Sequence, residues 1–223
     1  MSPGPDPTID GLHFVVTAGG TREPIDPVRF IGNRSSGKMG NELAAAAVRQ
    51  GATVTLVTAA TPPAAQAGLE VVSVETAGEM HAAVRDALAG AHVLIMAAAV
   101  ADWRPRDVSR HKLKKGADTL TLELVPTVDI LRALRDESAL NGVFVVGFAA
   151  ETEHVLDNAR GKLEAKQLDL VVVNDVSREG IGMGADDNEV TIIGRDGSQQ
   201  TISRAPKLIV ADAIVRIIAS RVR

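Results

Sequence analysis

What most restricts this chain is a rhythm. Short β-branched apolar runs recur along it, separated by longer stretches in which apolar residues return at helical spacing. The runs are Leu12–Thr17 (LHFVVT), Thr53–Val57, Glu70–Val74, His92–Ala97 (HVLIMA), Val143–Gly147 (VFVVG) and Leu170–Val173 (LVVV). Runs that stay apolar without alternating belong to strands covered on both faces, because each side chain then meets a packed layer. The stretches between them predict helices over Lys38–Gln50, Thr76–Ala89, Val128–Glu137 and Thr152–Lys166, with a last one over Ala205–Ala219. Strand and helix in repeated succession point to an α/β protein with a mainly parallel sheet, since parallel neighbours need a crossover long enough to hold a helix. No internal repeat is visible.

Two regions break the rhythm. Residues 102–125 hold a polar stretch, DWRPRDVSRHKLKKGAD, followed by TLTLEL. Residues 175–203 read as a Gly-rich loop and then a hairpin, NEVTIIGRDGSQQTISR, with Asp196-Gly197 as its turn. The expectation is a Rossmann-like three-layer α/β fold carrying a lysine-bearing insertion and a C-terminal hairpin. Residues 1–10, with three prolines and no periodicity, read as a linker or an expression remnant, and residues 11–223 as the folded domain.

The 223 residues, 45% of them apolar, suffice to bury a core. Lys and Arg number 24 against 28 Asp and Glu, a net charge of −4, which argues against a chain that coats nucleic acid or anionic lipid. Only 2% of residues are aromatic, too few for stacking platforms along a single strand. The longest apolar run, Ala91 to Ala101, falls short of the ~20 residues that span a bilayer. With no cysteine, thiol catalysis and thiolate metal sites are excluded; a cytoplasmic location is expected.

About twenty residues, TAGGTREPIDPVRFIGNRSSGKMG, separate the first strand from the first helix, and loops so long are usually functional or disordered. Gly19-Gly20 suggests a phosphate-binding turn, but G-x-G-x-x-G is absent. Gly32 to Lys38 fits G-x-x-x-x-G-K-[ST] until its last position, where Met39 cannot ligate Mg²⁺ as a hydroxyl would. Ser35, Ser36, Gly37 and Lys38 still make either an anion-favouring helix start or a plain capped one. Asp26, Arg29 and Asn33 share the loop, where Arg29 and Asn33 could fix a carboxylate, stabilise charge on a carbonyl oxygen or satisfy loop backbone.

The strand His92–Ala97 ends in Ala98-Ala-Val-Ala-Asp102-Trp103, small residues that let a planar base approach at the carboxyl edge of a sheet. Asp102 could bind Mg²⁺ or a ligand hydroxyl, cap a helix or pair with Arg104. The cluster His111-Lys112-Leu113-Lys114-Lys115 is either a solvated face or a local polyphosphate site. Lys162 and Lys166 stand four apart on one helix, where like charges repel. That arrangement favours an anionic ligand over two idle lysines. Phe148 at a strand end could stack on a base or close the core. H-E-x-x-H, G-x-S-x-G and paired acids are missing, which leaves metalloprotease, α/β-hydrolase and glycosidase chemistry without support.

Taken in order, TAGGTREPIDPVRFIGNRSSGKMG, AAAVADW, KLKK, the Asp129-Ile130-Leu131 helix start, GFAAET and AKQLDLVVVND resemble phosphopantothenoylcysteine synthetase. More narrowly, they resemble the ligase domain of the bacterial bifunctional protein that also carries a flavin-dependent decarboxylase. The resemblance runs from about Leu12 to the C-terminus. It implies that the carboxylate of 4′-phosphopantothenate attacks the α-phosphate of CTP, giving an acyl-cytidylate and pyrophosphate, and that L-cysteine then displaces CMP. It implies Mg²⁺ as well. Matched residue by residue, Asn33 handles the acyl-cytidylate, Arg29 belongs to the same loop, and Lys112 contacts the nucleotide phosphates. Met96, Ala97, Ala98, Asp102, Val128, Asp129, Ile130, Leu131, Phe148, Lys162 and Lys166 match the CTP site, with Asp102 the expected metal ligand.

Val128 stands where many relatives have proline, and nothing here resembles the flavin-binding half, so ligation alone is expected. The resemblance also implies a homodimer, with the long loop and an extended arm at the interface. Two other classes compete. A Rossmann oxidoreductase using NAD(P) lacks its glycine fingerprint here, and a non-catalytic nucleotide-binding module predicts binding without pyrophosphate release. Residues 177–188 could be a flap or a surface loop.

Overall fold

The structure is a computed structural model that describes residues 9–116, 119–175, 177, 182 and 184–222. Most of the 1–10 segment therefore lies outside the described residues, as do positions 178–181 and 183 of the proposed flap.

Six parallel strands make the body of one sheet: β1 (His13–Ala18), β4 (Thr53–Thr58), β5 (Leu69–Ser73), β6 (Val93–Met96), β9 (Phe144–Glu151) and β10 (Leu170–Asp175). Two antiparallel strands, β11 (Asp187–Gly194) and β12 (Gln199–Pro206), extend it into the order β12-β11-β10-β9-β6-β1-β4-β5. The parallel part thus runs 3-2-1-4-5-6 in order of appearance, the doubly wound arrangement whose ligand crevice opens where the winding reverses, here between β1 and β6.

The unbroken apolar runs are explained by two cores, one on each face of the sheet. Phe14, Val16 and Ala18 of β1 face one core and Val15 the other, as the two-residue period of a strand requires. Leu170 and Val172 of β10 likewise oppose Val171 and Val173. Helices α1 (Lys38–Arg49) and α5 (Lys207–Ala219) cover the first core through residues such as Leu43 and Ile214. Helices α2 (Ala77–Ala87), α3 (Ile130–Asp136) and α4 (Val155–Ala165) cover the second through Met80, Leu134 and Leu163. Each fully buried Leu, Ile or Val of these layers contributes roughly 1.5–3 kcal/mol by leaving water.

Helix α1 starts at Lys38 as expected, while the other four helix starts move inward for local reasons. Asp129 caps α3 by accepting a bond from the Arg132 N–H. Strand β9 runs on to Glu151 and delays α4 to Val155, and β12 runs through Pro206 into α5. The expected hairpin turn is present, with Gly197 at φ 79°. The long loop after β1 is not wholly irregular: β2 (Arg22–Pro24) and β3 (Phe30–Gly32) pair antiparallel within it. In the lysine-bearing insertion, β7 (Trp103–Pro105) pairs with β8 (Leu124–Pro126). No helix among the described residues is long and apolar enough to cross a membrane.

Candidate functional site

Beyond the carboxyl ends of β1 and β6 the two chains stay joined. Ala99 N–H donates to Gly19 O at 2.8 Å and Thr21 N–H to Ala99 O at 3.2 Å. Buried threonine hydroxyls complete the seam, Thr17 Oγ1 accepting from Ala98 N–H (3.1 Å) and Thr21 Oγ1 from Ala101 N–H (2.8 Å). A side chain on Gly20 would place Cβ 2.5 Å from Asn33 O, so the 32–36 segment lies directly against this turn. From there Asn33 Nδ2 donates to Ala99 O (3.2 Å) and Val100 O (3.1 Å), which fixes its amide at the mouth of the crevice.

The crevice widens into a cavity of about 520 Å³. Asn33, Met96, Ala97, Ala98, Asp102, Val128, Asp129, Ile130, Leu131, Phe148, Lys162 and Lys166 all line it, five separated segments brought to one place. Arg29 and Lys112 do not.

Lys162 of α4 and Lys166, the residue that ends that helix, both line the cavity, on different partners. Lys162 Nζ donates to Phe148 O at 2.5 Å. Burial lowers its pKa and Lys166 adds to the effect, while Glu151 and Asp102 oppose it. Lys166 pairs instead with Asp129. Burial pushes the Asp129 carboxyl up, but the Lys166 ammonium and the Arg132 N–H outweigh it and hold the group below the ordinary carboxylate value. Asp102 is exposed to the cavity, and its main-chain carbonyl accepts from Thr127 N–H at 2.9 Å. Arg104 donates to Pro105 O rather than to Asp102. Among the described residues no three His, Asp or Glu side chains cluster as a metal cage, so a cation here would lean on Asp102 and on ligand oxygens.

The start of α1 lines the cavity too. Its N-cap is Gly37, in the left-handed region at φ 78°, with no side-chain cap and no acidic residue in the first turn. The helix therefore presents unneutralised N–H groups to the cavity. Lys38 pairs with Asp186 at 2.7 Å and depresses that carboxyl's pKa. Met39 turns its sulfur to Asn188 Nδ2 at 3.7 Å, consistent with a segment that is not a P-loop.

Sequence reasoning missed Lys207. It is only 6% exposed, lines the cavity, donates to Ala185 O, and has its pKa lowered by burial and by Lys38. Asn174 and Asn188, linked at 3.5 Å, were also missed. Asn174 could have been found from its place at the carboxyl end of a strand, whereas a buried lysine at a helix start leaves no mark in the sequence.

Arg29 and the segment that carries Lys112 meet elsewhere, through Asp26 and Leu113. The Asp26 carboxylate is buried and accepts from Val28 N–H (2.8 Å), Arg29 N–H (2.9 Å), the Arg29 guanidinium (2.5 Å) and Leu113 N–H (3.1 Å). The Arg29 guanidinium leads these contacts in holding its pKa well below the carboxylate range. Arg29 also donates to Leu113 O at 2.7 Å. The pair clips the lysine-bearing segment to the β2–β3 arm, with Lys112 exposed beside the clip.

Residues 9–222 match the family described as the DNA/pantothenate metabolism flavoprotein C-terminal domain. The coenzyme A biosynthesis bifunctional protein CoaBC of Bacillus subtilis is 46% identical over 213 residues, covering 95% of this chain and 52% of that protein. The chain spans about half the length of the curated relatives it matches. The crystal structure of a CoaBC C-terminal domain is 38% identical, with a TM-score of 0.78 over 96% of this chain and 97% of that one. A Cab2 mutant solved with phosphopantothenate-cysteine shares the fold at 18% identity, with a TM-score of 0.77 over 94% of this chain and 86% of that one.

Proposed function

Since the chain belongs to the DNA/pantothenate metabolism flavoprotein C-terminal domain family, we propose that it joins 4′-phosphopantothenate to L-cysteine in coenzyme A biosynthesis, with CTP as the activating nucleotide. A carboxylate is a poor electrophile. Its oxygen attacks the α-phosphorus of CTP, the bond to pyrophosphate breaks, and an acyl-cytidylate remains. The cysteine amine then attacks the acyl carbon, loses a proton and releases CMP.

The observation that carries this reading is one cavity whose lining brings together Asn33, Asp102, Phe148 and the lysines Lys38, Lys162, Lys166 and Lys207. Lys162 and Lys166 suit the nucleotide phosphates, the small Ala97 and Ala98 admit a flat base, and Phe148 offers a ring to stack on. The uncapped start of α1, with Lys38 and Lys207, suits the phosphate monoester of the acyl substrate. Asn33, whose Nδ2 donates to the Ala99 and Val100 carbonyls, would handle the acyl-cytidylate in the second step through its Oδ1, which can accept from the cysteine amine. Positioning and charge neutralisation supply the rate, since the reaction needs no covalent nucleophile. Asp102 is the carboxylate that would hold Mg²⁺ together with phosphate oxygens, which is how Mg²⁺ commonly binds. When bound, the ion neutralises charge on the nucleotide.

The oxidoreductase alternative fits less well. A dinucleotide turn passes directly from strand to helix N-terminus, whereas β1 leads into the β2–β3 arm before α1 begins.

The reading extends to a homodimer. Val28 and Phe30 on one arm, and Trp103, Val108 and Leu124 on the other, are exposed large apolar residues on neighbouring arms. In the longer protein a flavin-dependent decarboxylase would accompany this domain, consistent with the word bifunctional in the relatives' name, and the location would be cytoplasmic. Incubation with 4′-phosphopantothenate, CTP, Mg²⁺ and L-cysteine should yield the amide and CMP in equal amounts by mass spectrometry. Nucleotide binding with no product would favour the binding-module reading. Sedimentation of a fully active monomer would remove the dimer.

A further inference from the structure

Helix α4 ends in an arrangement that its own sequence does not favour. Leu168 N–H bonds back to Leu163 O (2.9 Å) and Gln167 N–H to Glu164 O (3.0 Å), a reversal that needs a left-handed residue at its corner. That residue is usually glycine; here it is Gln167 at φ 47°. Two guanidiniums from different elements converge on the exposed carbonyls. Arg135 of α3 donates to Lys166 O (2.8 Å) and Gln167 O (2.6 Å). Arg195, at the β11–β12 turn, donates to Leu168 O (3.0 Å) and also to Gln167 O.

The two arginines differ in what else they hold: Arg195 also pairs with Asp169 at 3.5 Å. Only Arg135 grips the main chain of Lys166, whose side chain reaches the other way to Asp129 at the start of α3. Lys166 is therefore held to both ends of the same short helix, by its carbonyl near the last turn and by its ammonium at the cap. We propose that Arg135 is a positioning residue for the nucleotide-binding part of the cavity. It sets the main chain of Lys166, and through it where the ammonium stands relative to Asp129 and Lys162, without touching ligand itself. The inference rests on the reading of Lys166 as a nucleotide-binding residue.

Three variants of the full chain separate the possibilities: Arg135→Met, Arg195→Met and Lys166→Met. Each is measured for thermal stability, for equilibrium binding of CTP, and for the KM values of CTP and 4′-phosphopantothenate. Removing either arginine strips a donor from the same helix terminus and lowers stability. Arg135→Met alone should also weaken CTP binding, of order tenfold, the scale of one charge-assisted contact to phosphate lost or weakened. The KM for 4′-phosphopantothenate should stay put, and Arg135→Lys should restore part of the loss, since an ammonium keeps the charge but lacks the rigid planar fork that spans both carbonyls. Equal CTP affinity in Arg135→Met and Arg195→Met would overturn the proposal and leave Arg135 a structural cap. CTP binding unchanged in Lys166→Met would instead overturn the underlying assignment of that lysine, and the positioning role with it. If Arg135→Met fails to fold, Arg135→Lys against Arg195→Lys gives the same comparison.

Discussion

Replacing Lys162 by methionine should move stability and nucleotide affinity very differently. Lys162 is a half-buried ammonium that shares its cavity with Lys166, and burial disfavours its charge. Against that cost stands one hydrogen bond, from Nζ to Phe148 O. A bond from a charged donor is worth about 1.5–3 kcal/mol, and desolvating an ion fully costs several kcal/mol, of which a half-buried group bears only part. The two nearly cancel. Methionine keeps the volume, so Tm should shift by no more than about 4 °C, given ~2–4 °C per kcal/mol for a domain of this size.

Bound nucleotide has no such compensation. Loss of one charge-assisted contact to phosphate, again about 1.5–3 kcal/mol, weakens CTP roughly 10- to 150-fold at ~1.4 kcal/mol per decade. The pH dependence has a definite sign. Because the folded pKa lies below the ordinary value of 10.5, the cost of charge is fully present at pH below the folded pKa and is relieved as pH rises toward 10.5. Wild type should therefore gain stability relative to Lys162→Met across that alkaline window. Calorimetric titration of CTP and thermal melts decide the matter. Unchanged CTP affinity with a Tm lower by 10 °C or more would mean that Lys162 holds the fold and not the ligand, refuting the reasoning.

Asn33→Ala should still release pyrophosphate yet form little amide, measured by product analysis in the presence of cysteine; normal amide yield removes Asn33 from the second step. Lys112→Ala should slow pyrophosphate release, and an unchanged rate would make its segment a solvated face. Gly37→Ala forces an L side chain to φ 78° and sets its Cβ 2.6 Å from Ala60 Cβ; the left-handed conformation alone costs about 1–2 kcal/mol, so melts should show Tm lower by ~4 °C or more. His13 has its pKa lowered by burial and by His92, with Glu70 opposing. Its neutral form is thus favoured by folding, and stability should fall as pH drops from 6.5 through the folded pKa, a dependence that His13→Gln removes in denaturant titrations.

The layers of this fold were legible because both sheet faces are covered, and a strand buried twice reads as an unbroken apolar run. The arms were not, since β2, β3, β7 and β8 have only three residues each and show no period. Within the site, Lys162 and Lys166 could be anticipated from their spacing. The hydroxyls of Thr17 and Thr21, which stitch β1 to the chain beyond β6, could not be. Lys207 was hidden for a related reason: a lysine at a helix start ordinarily points to water, and only the packing of α5 under the 184–186 segment buries it. The Asp26–Arg29 clip shows a further limit. Arg29 is three residues from Asp26, but its carbonyl partner, Leu113, lies eighty-four residues away, a distance that no local pattern encodes.

The central claim is a nucleotide-activated ligation in two steps. Its most direct test is pyrophosphate release from 4′-phosphopantothenate with CTP, ATP, GTP and UTP in turn, first without cysteine and then with it. The account predicts release with CTP alone, before any cysteine is present, and amide with CMP only after cysteine is added. No pyrophosphate from a folded dimer with any of the four nucleotides would contradict it.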